Sequence, residues 1–411
     1  MLNAIWIGFF LTAFAAALFQ FLVHGQQDIF AVLIKAGFDN AKTAFEIALG
    51  LTGVMCLWLG IMRIGEKAGF LVVLARWLSP LFSRIFPDVP KGHPALASIT
   101  MNMAANMLGL DNAATPIGIK AMQELQELNP DKDTASNAQI MFLVLNASSV
   151  TLLPVTIFTY RAQMGAVDPT DVFVPILMAT YCSTLAGFLF VALVQRIRLD
   201  SVVLAWIGGL TLAVGSMAAW FLRLPAQEMA ARSSLVGNLV LIGLIATFLL
   251  GALVKRVNAY EAFIEGAKDG FQTAVTIIPY LVAMLVAIGM LRASGALDVF
   301  MNGVRGMVMS FGMDPAWVSG LPTMLMKPLS GSGARAMMVE TMKTFGPDSF
   351  AGHLAAIIQG STETTFYVLA VYFGSVGIKR MRYAVAGGLV ADLAGMVAAV
   401  LAAYLFFGRH F

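Results

Sequence analysis

Apolar runs of membrane-crossing length recur along the chain, at 2–23, 43–63, 137–160, 172–195, 201–222, 233–254, 272–291, 352–373 and 384–407. About 20 helical residues span the hydrocarbon layer, so each run is predicted as a transmembrane helix. Two further regions, 94–128 and 317–345, are apolar but interrupted. Asn102, Asn106, Asp111, Asn112 and Pro116 break the first; Lys327, Pro328, Ser330, Gly331, Ser332, Gly333 and Arg335 break the second. Lipid offers backbone groups no partners, so each region is expected as a re-entrant helical hairpin buried against other helices. Segments 66–86 and 295–313 carry Arg76 and Arg305 near their middles, which assigns them to the interface. The run from residue 2 to Val23 has no basic residue ahead of it and is expected as a retained span.

The two halves of this pattern match. Thr43-Ala44 before a span ending at Arg63 corresponds to Thr273-Ala274 before one ending at Arg292. Leu110-Asp111-Asn112 matches Leu329-Ser330-Gly331, Pro130-Asp131 matches Pro347-Asp348, and Thr184-Leu-Ala-Gly187 matches Asp392-Leu-Ala-Gly395. The expected organisation is an N-terminal helix (1–35), a first repeat (36–199), linking helices (200–258) and a second repeat (259–411). With re-entrant hairpins, an odd number of crossings separates the repeats, which inverts the second. Loop charge agrees: 161–171 holds one Arg and two Asp, whereas 374–383 holds Lys379, Arg380 and Arg382. Positive loops stay inside, so the N-terminus is expected in the cytoplasm and the C-terminus outside. The fold class expected is an all-α polytopic membrane protein of two inverted-topology repeats, each with a re-entrant hairpin and a broken transmembrane helix.

Composition narrows the class. The chain has 411 residues, 59% of them hydrophobic and 12% charged, against about 25% charged in soluble domains. That excludes a soluble enzyme and a disordered scaffold. A formal charge of +3 with scattered basic residues excludes a nucleic-acid partner. Cys56 and Cys182 both lie in apolar runs, and His24, His93, His353 and His410 are too dispersed for a ligand cluster.

Polar groups at membrane depth are where chemistry is expected. Gln359-Gly-Ser361-Thr362-Glu363-Thr364-Thr365 covers every face of a helix in mid-span, which favours a local break. Asn146-Ala-Ser148-Ser149-Val-Thr151, followed by Pro154, is its counterpart. Pro154 frees a carbonyl one turn earlier, and a Na+ is expected near Asn146, Ser149 and Glu363. The hairpin tips add Asn106, Asp111 and Asn112 on one side, with Asp111 as a helix N-cap. On the other, Lys327, Ser330, Ser332 and Arg335 form an anion-friendly turn. Asp392 and Thr184 are expected to point inward.

Polar breaks at equivalent positions of inverted halves mark a midplane binding site. The expected function is therefore a secondary transporter of a small polar solute, coupled to Na+ or H+ and working as a homo-oligomer in the lipid bilayer. A non-transporting gate or scaffold is the alternative. A hydrolase using Ser330 and His353 has no HExxH or GxSxG pattern behind it, so no enzyme activity is expected.

Longer strings carry a family resemblance. Trp58-Leu-Gly-Ile-Met-Arg-Ile-Gly-Glu-Lys-Ala-Gly69 and Asn102-Met-Ala-Ala-Asn-Met-Leu-Gly-Leu-Asp-Asn-Ala-Ala-Thr-Pro116 resemble the spore maturation protein A family. The stretch from Tyr280 to Gly295, Pro328-Leu-Ser-Gly-Ser-Gly333, and the stretch from Gln359 to Arg380 resemble the B family. The chain thus resembles an A–B fusion joined near residues 200–255. The resemblance implies a nucleoside-recognition, or gate-domain, protein of the bacterial inner membrane, akin to the ferrous-iron permease gate and to concentrative nucleoside transporters. In the latter a Gly-Gln/Asn-Thr/Ser-Glu motif contacts the base, and Gln359, Thr362 and Glu363 resemble it. Asn146-Ala-Ser-Ser149 in the first half has no acidic residue and departs from that pattern. The solutes implied are nucleoside-like molecules or small organic anions.

Overall fold

The computed structural model describes residues 2–148 and 151–408; the side chains of Leu2, Asp111, Asn112, Ala113, Ala226 and Gln227 lie outside that description. The described elements are helices, and the β pairing present is an isolated parallel bridge between Thr134 and Arg380. A first helix, α1 (Leu2–His24), precedes a series of seven: α2 (Ile29–Lys67), α3 (Phe70–Ile85), α4 (Pro94–Met107), α5 (Asp111–Leu128), α6 (Asn137–Ser148), α7 (Val155–Gln163) and α8 (Phe173–Gln195). Two linking helices follow, α9 (Ser201–Leu222) and α10 (Ala226–Lys255). The chain continues as α11 (Ala259–Ala293), α12 (Ala296–Ser310), α13 (Leu321–Met326) after a 3₁₀ turn, α14 (Gly331–Phe345), α15 (Phe350–Ser361), α16 (Thr365–Ser375) and α17 (Ala384–Phe407).

Among the described residues, eight segments are long and apolar enough to cross a membrane: α1, α2, α8, α9, α10, α11, the pair α15–α16, and α17. This is a multi-span membrane protein. The run 137–160 is divided into the short helices α6 and α7, of 12 and 9 residues. Helix α2 has 39 residues, so it is roughly 58 Å long and reaches well beyond a 30 Å hydrocarbon layer. The interrupted regions 94–128 and 317–345 form the helix pairs α4–α5 and α13–α14. Segments 66–86 and 295–313 become α3 and α12, whose outer faces expose Val73, Trp77, Val299 and Met307.

Small residues set the main helix contacts. A β-carbon on Gly270 would lie 2.7 Å from the Met55 carbonyl oxygen, so only glycine lets α11 approach α2 this closely. Gly266 meets Leu59, and Gly289 meets Asn40, in the same seam. Numbers rise along one helix as they fall along the other, so α2 and α11 run antiparallel. At one end of this seam, Glu265 pairs with both Arg63 and Lys67.

Helices α8 and α17 pack by the same rule. A β-carbon on Gly187 would come within 3.0 Å of the Ala391 side chain, and one on Gly395 within 3.0 Å of Ser183. These reciprocal contacts are again antiparallel, and they join the two motifs Thr184–Gly187 and Asp392–Gly395. One buried core surrounds Leu51, Ile176, Leu285, Ile357 and Phe406; a second surrounds Ile99, Met122, Phe142 and Phe373.

Candidate functional site

Helix α15 stops at Ser361 because the next residues leave helical geometry. Thr362 is extended, at φ −146° and ψ 171°, and Thr364 lies at φ −85° and ψ 96° before α16 begins. The hydrogen bonds lost there are remade from outside. In an unbroken helix the Glu363 amide would donate to the Gln359 carbonyl. Here it donates to the carbonyl of Ala147 on α6 at 2.8 Å, and Lys327 Nζ donates to the Gln359 carbonyl at 2.8 Å. The Phe366 amide donates to Pro328 at the α13–α14 tip, 3.0 Å away.

The first half follows the same plan. The Leu152 amide, beyond the end of α6, donates to Met107 at the α4–α5 tip at 3.0 Å. Gly109 at that tip adopts φ +70°, and a β-carbon there would sit 3.0 Å from the Leu153 carbonyl oxygen. Conformation and space both require glycine at this position. Pro154 stands at the N-cap position of α7, where its missing amide costs nothing. Helix α5 begins at Asp111 itself, so Leu110, not Asp111, occupies the N-cap position.

Amide side chains support the first break. Asn146 Oδ1 accepts from Asn106 Nδ2 at 2.9 Å and from the Tyr372 hydroxyl at 3.2 Å, while Asn146 Nδ2 donates to the Phe142 carbonyl at 2.9 Å. Asn102 Nδ2 donates to the Ala114 carbonyl at 2.7 Å, which holds α4 against α5. The oxygen expected as a Na+ ligand at Asn146 is therefore already engaged by two donors. Ser149, the other uncharged member of that expected site, lies outside the described residues.

Between the breaks and the tips lies a cavity of about 730 Å³. Of the residues expected at the site, Asn106, Asn146, Thr151, Lys327, Ser330, Ser332, Arg335, Gln359, Thr362, Glu363 and Thr364 line it. Ser148 and Ser361 do not. Each ends its helix and donates back into it, Ser148 to the Leu145 carbonyl at 3.1 Å and Ser361 to the Ile358 carbonyl at 2.8 Å. The side chains of Asp111 and Asn112, like Ser149, fall outside the described residues. Thr115, expected at the first hairpin tip, lines it too, and so do Thr156, Thr276, Tyr280, Tyr367 and Tyr372, which the sequence did not single out. Thr276 and Tyr280 are one helical turn apart on α11, a polar stripe that the overall apolar count of that span obscured.

Glu363 is exposed to the cavity, and neither its carboxylate nor the Arg335 guanidinium has a hydrogen bond or ion pair among the described residues. Lys327 is buried. Ser330 caps α14, its hydroxyl accepting from the Gly333 amide at 3.0 Å and standing 3.2 Å from the Ser332 hydroxyl. Behind the second break, Asp392 is 2% exposed and accepts from the Thr365 hydroxyl at 2.7 Å. The Thr362 hydroxyl stands near this carboxylate without hydrogen-bond geometry, and Asp392 Oδ1 has no hydrogen-bond partner among the described residues.

A second polar cluster lies elsewhere. Arg161, 0% exposed, reaches Asp171 at 3.0 Å and Asp348 at 3.3 Å, and donates to the Pro347 carbonyl at 2.8 Å. His353 Nε2 lies 2.8 Å from Asp171, and its ring stacks on Phe407. Asp171, Asp348 and His353 each present a ligand atom within 4.8 Å of one another, but the guanidinium bonds to all three, and they serve it. His353 is thus bonded within this cluster, and no contact between it and Ser330 is present among the described residues.

Comparison with known proteins agrees with these halves. The family described as Gate, nucleoside recognition, matches residues 48–164 and 274–379. Spore maturation protein B of Bacillus subtilis (strain 168) is 49% identical over 165 residues, 40% of this chain and 91% of that protein. Spore maturation protein A of the same organism is 38% identical over 189 residues, 46% of this chain and 93% of that protein.

Proposed function

Because the chain belongs to the Gate nucleoside recognition family of membrane proteins, we propose that it is a secondary transporter of a small polar solute, nucleoside-like or a small organic anion. The single observation behind this reading is the cavity, lined together by both broken helices and both hairpin tips. A scaffold has no need of such a space; a carrier does.

The antiparallel contacts between α2 and α11, and between α8 and α17, support two inverted repeats with re-entrant hairpins. Inverted halves can exchange conformations and so present one site alternately to either side. The residues proposed to meet solute are those lining the cavity on the breaks and tips, above all Gln359, Glu363, Lys327, Ser332 and Arg335. Coupling falls to Na+ or H+, with Asp392 as the buried carboxylate beside the site. The protein would sit in the bacterial inner membrane as a homo-oligomer, N-terminus in the cytoplasm and C-terminus outside.

Reconstitution tests this. Proteoliposomes holding the full chain should accumulate uridine or a small carboxylate under a Na+ or H+ gradient, and Glu363→Gln should abolish it. Absence of uptake and of counterflow for every solute tried would leave the gate or scaffold reading in its place.

A further inference from the structure

The charges around the cavity are of both signs, and among the described residues Glu363 and Arg335 do not pair with each other. Glu363 brings a carboxylate from the second break; Arg335 brings a guanidinium from the first turns of α14. No ion pair or hydrogen bond holds either side chain among the described residues. The third charge, Lys327, is already bonded to the Gln359 carbonyl. Glu363 is exposed to the cavity and Arg335 is half-buried, so both are open to a ligand that carries the opposite charges.

Both kinds of group meet in the cavity. Ser330, Gly331 and Ser332 present the N-terminus of the 15-residue helix α14, with Arg335 one turn further on and no acidic residue in the first turn, and a β-carbon on Gly331 would lie 2.8 Å from Thr364 Oγ1 on the break. Amides at a helix start, beside a guanidinium, favour a carboxylate. On the α15–α16 break stand Glu363 and Gln359, the latter 7% exposed, with its Oε1 free of any hydrogen bond in the described structure. Both groups accept hydrogen bonds, and an ammonium donates three.

Resting on the transport reading above, but replacing its nucleoside-like or anionic solute, we infer that the solute is zwitterionic, an amino acid or a molecule built like one. Its ammonium meets Glu363 and Gln359, and its carboxylate meets Arg335 and the start of α14. A plain anion would meet the like charge of Glu363 in the cavity. A plain amine would face Arg335, and a neutral nucleoside would leave both charges unmatched.

Equilibrium binding tests the class without requiring transport. The purified full-length protein would be titrated with each standard L-amino acid, with uridine, and with the decarboxylated amine and deaminated acid of the best amino acid. At least one amino acid should bind about tenfold or more tightly than both of its truncated forms and than uridine. Glu363→Gln should narrow the gap between the amino acid and its deaminated acid; Arg335→Gln should narrow the gap to the amine. Tighter binding of uridine or of the acid, or no binding by any amino acid, overturns the inference, as does an equal loss of all ligands in both variants. The comparison on the unaltered protein stands even if a variant does not fold. If the amino acid binds but proteoliposomes never take it up, the transporter reading fails and the ligand class survives.

Discussion

The backbone amide of Glu363 donates to the carbonyl of Ala147 at 2.8 Å, so the gap in one broken helix is closed by the end of the other. The two residues are more than two hundred positions apart. Each interruption, unstable in lipid by itself, becomes tolerable because a hairpin tip satisfies it, and for the second break the end of α6 as well.

The amide network beside that junction should show unequal costs. Asn146→Leu leaves Asn106 Nδ2 and the Tyr372 hydroxyl without their acceptor, at about 1–3 kcal/mol for each stranded group. Tyr372→Phe removes the donor to Asn146 and a long 3.5 Å acceptor for Asn102 Nδ2, which keeps its bond to Ala114, and should cost about 1 kcal/mol. Thermal unfolding in detergent measures both, and equal effects would mean that Asn146 is not the hub.

The seam between α2 and α11 should not tolerate a side chain at Gly270. Gly270→Val pushes a branched side chain into the Met55–Cys56 backbone and should destabilise by about 1–3 kcal/mol or more. Gly303→Val, on α12 with nothing within 4 Å, is the control. A similar unfolding midpoint for the two variants would show that the seam adapts.

Two arginine–aspartate pairs hold matching loops, and they should behave differently. Arg161, fully buried, meets Asp348; Arg380, exposed, meets Asp131 at 2.9 Å. Arg161→Gln strands Asp171 in the interior and should cost about 3–5 kcal/mol. Arg380→Gln loses a solvent-screened pair and should change the unfolding midpoint little. The reverse ranking would place the packing stress at the other end of the molecule.

Asp392→Asn separates coupling from binding. The amide keeps the volume and can still accept from Thr365. Gradient-driven accumulation should collapse while counterflow of the same solute persists. Loss of both together would make Asp392 a structural residue only.

Much of this architecture was legible without coordinates, and the residues explain why. Pro154 and the Gln359–Thr365 string announce breaks locally, since proline lacks a donor and six polar residues and a glycine in succession cannot present one apolar face. The glycine spacing Gly266-xxx-Gly270 also announces a close helix contact, although no partner is named by it. Arg161 was different. As a lone basic residue after an apolar run it reads as a loop charge, because Asp348 and His353, which bury it, come from the other half of the chain.

What the sequence by itself determined is where the chain enters lipid and where it must interrupt itself, because hydrocarbon makes every unpaired polar group costly whatever its neighbours. Tertiary structure alone decided which polar residues face the shared cavity. Once helical periodicity ends at Ser361, spacing no longer tells a side chain's direction. Ser361 turns back to Ile358 while Glu363, two residues on, opens into the cavity, an outcome set by packing against α6 and the α13–α14 tip.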